Sequence, residues 1–341
     1  MSNNGGSGTA TYGWALIGCG GAGSEHARGA AVTPEIEVRG FCDVEPGAAE
    51  RLQGEYGGYA TTDPRRIFDD PAVSIVSIAT PHSMHTEPAL AAFAAGKHVF
   101  LEKPMAMSTA ECLQIAAAQR AAGTQLMLDF SFRFSGAVRA AKRRLGRPMV
   151  SHAQCLMAPA DLKRWRWDPV IGGGPLWDVG VHMVDLLCWF HEAAPVEVYA
   201  TGGQLTHPSE LANTDIVDTT AATLRFKDGS VATLLASDAD FNAFVSKWLF
   251  EFYGQGQSAV LYNHCRTLAF SGPGGAREVE TLSPPPVERL PFLVEAIQQG
   301  KESYGPASAG IISTLVVEGI LESVRSGQPQ PVELPAELAG D

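Results

Sequence analysis

Between residues 172 and 189 the chain sets a carboxylate, an imidazole and a second carboxylate at helical spacing. Asp178 and His182 are four positions apart and His182 and Asp185 three, in an apolar stretch that follows Gly172-Gly173-Gly174. On a helix these offsets place the three side chains on one face. An imidazole has the unperturbed pKa nearest neutrality, and a carboxylate beside it can hold the ring and stabilise its charged form. The pattern predicts a proton-transfer set on a helix over 178–190, with the glycines supplying the turn before it. Taken alone, the stretch reads equally as a helix end whose polar residues face water. Two further motifs weigh against that, a glycine-rich turn near the N-terminus and a Glu-Lys-Pro at a strand end.

Such side chains need a scaffold. Residues 14–129 alternate short apolar runs with helical stretches. Strands are predicted at Trp14–Ile17, Val38–Cys42, Ile75–Ala79, His98–Leu101 and Gln125–Leu128. Helices are predicted at about 22–31, 46–55, 84–95 and 109–122, the last opened by a capping box, Ser108 to Glu111. Crossovers of this length imply a parallel sheet covered on both faces. Past residue 148 the pattern changes. Ala222, Leu224 and Phe226 alternate with Thr223 and Arg225, Lys227-Asp228-Gly229 turns, and Val231–Leu235 returns, which is a hairpin. Lys247–Tyr253, Ala259–Tyr262 and Thr267–Phe270 read as further strands, with a turn over 271–275. The fold class is therefore α/β. A doubly wound dinucleotide-binding domain over 13–129 follows a flexible tail over 1–12. An α+β domain with a mostly antiparallel sheet spans 130–341, accompanied by the 178–190 helix and late helices near 287–299 and 308–326. Pro284-Pro285-Pro286 marks the junction before them.

Gly18-Cys19-Gly20-Gly21-Ala22-Gly23 follows the first strand and opens a helix. This is G-x-G-x-x-G in its required context. The first glycine makes the tight turn, the second lets the backbone approach a pyrophosphate, and the third lets helix and strand pack closely; free N–H groups at the helix start bind the phosphates. Asp43 ends the next strand, 20 residues after Gly23, where a carboxylate accepts from a ribose diol. A 2′-phosphate would meet that charge, and Val44 offers no arginine, so NAD is expected over NADP. Glu102-Lys103-Pro104 follows the strand His98–Leu101, at the carboxyl edge where open parallel sheets bind ligands. Thr80, His82 and His85 follow another strand and are expected to line the same crevice, although His85 reads equally as an ordinary residue at a helix start.

With 341 residues and 45% hydrophobic content the chain can build one large or two medium cores. A net charge of −12 argues against nucleic acid and anionic membranes as partners and suits small-molecule chemistry. No run of about 20 apolar residues is evident, so no membrane span is expected. The first dozen residues lack the basic start and apolar core of a signal peptide. The six cysteines are scattered without a CxxC, which suits buried thiols in a reducing cytoplasm. Asp178 and His182 could form half of a zinc site; Lys103 would repel the dication, so no metal is expected.

The sequence resembles the glucose–fructose oxidoreductase/inositol dehydrogenase (Gfo/Idh/MocA) family. The resemblance rests on Gly18 to Gly23, Asp43, Glu102-Lys103-Pro104, Gly172 to Gly174 with Asp178, His182 and Asp185, and Phe250 to Gly254. It implies an NAD(P)-dependent oxidoreductase acting on a CH–OH carbon of a sugar, sugar derivative or cyclitol, and assembly into a homodimer or homotetramer. Lys103, Asp178 and His182 match the family's catalytic lysine, aspartate and histidine. His82 stands where the family often has asparagine, and Trp165-Arg166 resembles an element near the active site, which makes Arg166 a candidate substrate contact. Two alternatives share the fold: a ligand-sensing regulator without catalysis, and a hydrolase that uses bound NAD transiently to cleave a glycoside.

Overall fold

The computed structural model describes residues 11–157, 165–239, 247–282 and 288–338. The first half builds a six-stranded parallel sheet from β1 (Tyr12–Ile17), β2 (Ile36–Cys42), β3 (Tyr59–Thr61), β4 (Ile75–Ile78), β5 (His98–Leu101) and β6 (Leu126–Leu128). Its order, β3-β2-β1-β4-β5-β6, is doubly wound, and the order reverses between β1 and β4. All four residues of β4 are buried, as a central strand covered on both faces requires. The helices are α1 (Gly21–Ala31), α2 (Pro46–Tyr56), α3 (Arg65–Phe68), α4 (Thr86–Ala94) and α5 (Thr109–Ala122). Ser108 caps α5 by accepting the Glu111 N–H, as its motif predicts. Tyr12, expected in the N-terminal tail, already pairs with Ile36 in β1; residues 1–10 lie outside the described residues.

After β6 the chain forms α6 (Gly136–Arg144) and then a nine-stranded sheet. Its strands are β7 (Val150–Leu156), β8 (Glu197–Gly203), β9 (Thr219–Arg225), β10 (Val231–Ser237), β11 (Trp248–Gly254), β12 (Gln257–Tyr262), β13 (Thr267–Ser271), β14 (Arg277–Thr281) and β15 (Gln330–Pro331). The order is β14-β13-β12-β11-β7-β10-β9-β8-β15, antiparallel throughout except for β7 beside β10. The predicted hairpin is β9–β10, with Leu224 opposite Ala232 and both buried. The helices α7 (Val181–His191), α8 (Leu290–Gln299) and α9 (Ala307–Ser326) complete the chain. Phe190 of α7 stacks on Phe252 of β11 at 3.8 Å between ring centroids, fixing that helix on the sheet's inner face.

Three expectations change. First, α8 does not accompany the second sheet. Leu290, Leu293 and Val294 join Trp14, Leu16, Phe100 and Met127 in the core under α1 and α2, because that layer leaves the β5–β6 side of the first sheet uncovered. The proline run before it lies outside the described residues. Second, α9 is long and apolar enough, by length and composition, to cross a bilayer. It packs as a core helix here, with Val316, Val317 and Ile320 buried in the core that joins both sheets. Third, Asp185 does not serve the proton set. Its carboxylate receives Arg133 Nη2 at 2.7 Å and Nε at 2.9 Å, both groups buried, while Arg133 Nη1 donates to the Tyr304 carbonyl. The predicted helical face is interrupted, because residues 176–180 form one wide, π-type turn ahead of α7.

The Arg133–Asp185 fork joins the segment after β6 to α7. Asp185→Ala leaves a buried guanidinium unpaired, which costs about 3–5 kcal/mol. Urea unfolding of this variant should show a midpoint well below that of the unaltered protein; equal midpoints would remove the fork from the architecture.

Candidate active site

The glycine-rich turn leaves β1 and enters α1. Gly18 has φ +93°, and a Cβ there would press within 2.6 Å of the Ala79 carbonyl carbon. A Cβ on Gly23 would collide with the Gly18 carbonyl oxygen, so the third glycine sets the strand–helix approach. Gly20 and Gly21 instead face open space, and no side chain caps α1. Free N–H groups at an uncapped helix start beside an unobstructed backbone are what a pyrophosphate requires. Asp43 sits at the end of β2 as expected. Its Oδ2 accepts Cys19 N–H at 2.7 Å and its Oδ1 accepts Glu45 N–H at 2.9 Å, which pins the carboxylate beside the turn. Cys19 contributes through its backbone, since its thiol is buried and bonded to the Cys42 carbonyl. These residues fit a dinucleotide.

At the carboxyl end of β5, Lys103 reaches across to the second half of the chain. Its Nζ donates to Asp178 Oδ1 at 2.7 Å and to the Asp178 carbonyl at 2.6 Å. Arg166 Nε lies 3.0 Å from Asp178 Oδ2, at ion-pair distance though without hydrogen-bond alignment. Burial alone would raise the Asp178 carboxyl, but the Lys103 and Arg166 cations hold it well below the usual carboxylate range. The glycines explain how residues 165–178 fold back. Gly173 and Gly174 have φ of +73° and +86°, and a Cβ on Gly172 would strike the Arg166 backbone.

His182 stands in this neighbourhood with its ring 5.1 Å from Phe132, 5.9 Å from Trp248 and 6.2 Å from Phe130. The expectation that Asp178 holds this imidazole is corrected. Asp178 is taken by Lys103 and Arg166, and His182 Nδ1 is buried without a hydrogen-bond partner. Burial, then the Lys103 ammonium, pushes His182 down to about 3, and the same two causes bring His82 to about 3. Both rings are therefore neutral near pH 7.

The remaining candidates bond mainly to backbone groups, with His82 Nε2 also 4.0 Å from Asp178 Oδ1. His82 is buried, donates from Nδ1 to the Gly172 carbonyl at 2.9 Å and lies edge-on to Trp165, so it stitches the two halves together instead of opening onto a cofactor. His85 is fully buried, with Nδ1 2.7 Å from the Pro104 carbonyl and Nε2 3.0 Å from the Thr80 carbonyl. It holds two crevice loops and cannot face the crevice itself. Thr80 turns its hydroxyl to the Met84 carbonyl. Glu102 accepts Lys103 N–H on Oε2 and meets His26 Nε2 on Oε1 at 3.1 Å.

That last contact opens a network absent from the sequence reading. His26 Nε2 is also 3.2 Å from Asp129 Oδ2, which lies at ion-pair distance, 2.8 Å, from Arg289 Nη2. The trio of His26, Glu102 and Asp129 has metal-ligand types within reach of one another, but the Arg289 guanidinium already occupies the cationic place on Asp129. Burial opposes charge on His26, yet Asp129 and Glu102 raise its pKa above the ordinary value. The signal was available: Asp129 directly follows β6, as Lys103 nearly follows β5, at the edge where ligands bind.

Comparison with known proteins places this geometry. Residues 12–130 match the family described as oxidoreductase family, NAD-binding Rossmann fold, and residues 138–260 match the GFO/IDH/MocA C-terminal domain. The 1,5-anhydro-D-fructose reductase of Ensifer adhaerens is 27% identical over 94% of this chain and 98% of its own. An inositol 2-dehydrogenase of Saccharopolyspora erythraea is 27% identical over 94% and 95%. Among solved structures, a levoglucosan dehydrogenase in complex with NADH and levoglucosan superposes with a TM-score of 0.86 at 23% identity, covering 95% of this chain and all of that one. An aldose–aldose oxidoreductase from Caulobacter crescentus does so with a TM-score of 0.83 at 24% identity, over 94% and 99%.

Burial lowers several imidazoles, His85 and His191 among them; His82 and His182 lie in the site and set an acid limit on stability. In the unfolded chain each charges near pH 6.5, whereas in the folded chain neither does until pH approaches 3. Their contribution is full above pH 6.5 and is lost as pH falls toward 3, by about 1.4 kcal/mol per pH unit for each ring. His26, raised, acts in the opposite sense and offsets part of this. Calorimetry should give a lower Tm at pH 5 than at pH 7, with a smaller difference in His82→Gln; a Tm that is flat across that interval contradicts the assignment.

Proposed function

The chain belongs to the GFO/IDH/MocA family of NAD-binding oxidoreductases, and on that premise we propose that it moves a hydride between the nicotinamide of NAD and a secondary alcohol or ketone carbon of a sugar, sugar derivative or cyclitol. The observation that carries this reading is the meeting of Lys103 and Asp178 at 2.7 Å beside His182, where the carboxyl edge of the first sheet faces the second half of the chain. The substrate class follows the relatives, which are an anhydrofructose reductase, a levoglucosan dehydrogenase and inositol dehydrogenases.

The bound cofactor supplies the hydride chemistry; the protein supplies position, charge and a route for the proton. Lys103 donates a hydrogen bond to the reacting oxygen and stabilises negative charge there. His182, neutral near pH 7, takes the hydroxyl proton or returns it. Asp178 aims the Lys103 ammonium and, with Arg166, frames the substrate side. This assigns Asp178 to the lysine and leaves the imidazole to its aromatic surroundings. Asp43 selects NAD over NADP through its charge at the ribose position.

We also propose a cytoplasmic homodimer or homotetramer. Tyr253, Val150 and Val231 lie side by side across β11, β7 and β10 and are exposed on the outer face of the second sheet, which suits an apolar surface covered by another copy. A particle of 36.1 kDa in light scattering would remove this part of the proposal.

The complete Lys103, Asp178 and His182 set argues against a regulator that has lost turnover. A hydrolase using NAD transiently would release free sugar without accumulating NADH. The test is NADH formation across anhydrosugars, aldoses and inositols. On the responsive substrate, His182→Ala should lower turnover by about 10²–10⁴-fold while NAD binding changes little. Lys103→Ala acts on the same oxygen, so the double variant should lose less than the product of the single losses. Near-normal turnover in His182→Ala would place the proton elsewhere.

A further inference from the structure

We propose that Arg51 is the cationic clamp for the dinucleotide's pyrophosphate, reaching the glycine-rich turn from the neighbouring helix α2. Two observations lead there. Arg51 Nη2 donates to the Cys19 carbonyl at 3.1 Å and to Ser24 Oγ at 3.0 Å, so the guanidinium is parked against the turn. Ser24 Oγ in turn donates to the Gly20 carbonyl at 2.8 Å, which spans the stretch where Gly20 and Gly21 present open backbone. The second observation is what Arg51 lacks. Among the described residues it has no carboxylate partner at ion-pair distance, and its Nε and Nη1 have no hydrogen-bond partner.

An exposed arginine in a chain of net charge −12 has carboxylates in plenty. This one lies on a carbonyl and a hydroxyl, with three N–H groups still directed to solvent. A pyrophosphate carries two negative charges, and the turn answers them with neutral N–H groups only. Asp43, pinned to the Cys19 N–H on the same turn, adds a negative charge nearby. A planar guanidinium at this place offsets that charge and offers paired donors to phosphate oxygens, which a lysine cannot do in the same geometry. No local pattern marks it: Arg51 stands eight positions beyond Asp43, and only the packing of α2 against α1 brings it to the turn.

The inference rests on the dinucleotide reading, and direct NADH binding by the full-length protein separates the two. Wild-type protein that binds no NADH sinks that reading; wild-type binding that is indifferent to Arg51 sinks only this one. Arg51→Gln keeps an amide able to tether Cys19 and Ser24 but removes the charge. By calorimetry at low ionic strength, Arg51→Gln and Arg51→Ala should each weaken NADH binding by about tenfold, and Arg51→Lys should recover part of the loss. The salt dependence of NADH binding should be shallower in Arg51→Gln than in the wild type, since one screened attraction is gone. Thermal midpoints without ligand should agree to within a degree or two. The clamp is overturned if Arg51→Gln binds NADH as the wild type does, which would make the residue a tether. It is equally overturned if the losses fall on NADPH alone, which would assign the guanidinium to a 2′-phosphate.

Discussion

The Lys103–Asp178 ion pair is the contact on which the rest of the site depends. It joins residues 75 positions apart, from opposite halves of the chain, in a largely buried place. Taking two charges out of water is costly, and the pair is sustained only where further donors complete it. They are present: the Asp178 carbonyl also accepts Lys103 Nζ, and Arg166 stands against the second carboxylate oxygen. Glu102 holds the Lys103 N–H, His85 holds the Pro104 carbonyl, and His82 holds the Gly172 carbonyl. Residues that the sequence presents as separate motifs thus form one support around a single charge pair.

The support is arranged by topology. Cys19, Asp43, Thr80, Lys103 and Asp129 come from the carboxyl ends of five strands of the first sheet, and they converge because the strand order reverses between β1 and β4. The second half adds α7, the turn before it and residues 165–174. Arg289, from the segment before α8, closes the underside by pairing with Asp129, and α8 itself packs into the first core. The chain therefore returns to its first domain after building its second, and the polar network of His26, Glu102, Asp129 and Arg289 marks where it does so.

What could be read in advance follows the range of the interactions involved. The strands and helices of the first half were legible because fully buried parallel strands read as apolar runs and their caps are local; β5 and α5 fall on their predicted residues. The phosphate turn was legible because its glycine spacing directly after a strand is a fixed motif, although the contact that demands Gly18 comes from Ala79, far along the chain. Strands β3 and β15 were too short to show a pattern, and β7 and β8 were masked by polar residues such as His152 and Thr201 on their outer positions. Lys103 and Asp178 meet, with His182 in the same neighbourhood, but the partners expected for Asp178 and Asp185 are different ones. Spacing of four and three suggested that Asp178, His182 and Asp185 act together. The wide turn at 176–180, set by tertiary packing, sends Asp178 to Lys103, and a buried arginine far away in sequence captures Asp185.

That reassignment changes how the proton is handled. An imidazole paired with a carboxylate has a raised pKa and accepts a proton readily. His182 lacks such a pair, is buried among Phe130, Phe132 and Trp248, and lies near an ammonium. A proton placed on it is held weakly and is given up to any nearby oxygen that carries negative charge. Burial is the larger cause of the depressed imidazole pKa and the Lys103 ammonium the second; in the proposed mechanism the same ammonium stabilises the substrate oxygen, so the two effects are linked. In that mechanism a hydroxyl held between imidazole and lysine would take up part of the cation's field, easing the smaller cause of the depression and leaving burial in place. Substrate binding, on this account, tunes the base as well as positioning the carbon that exchanges hydride.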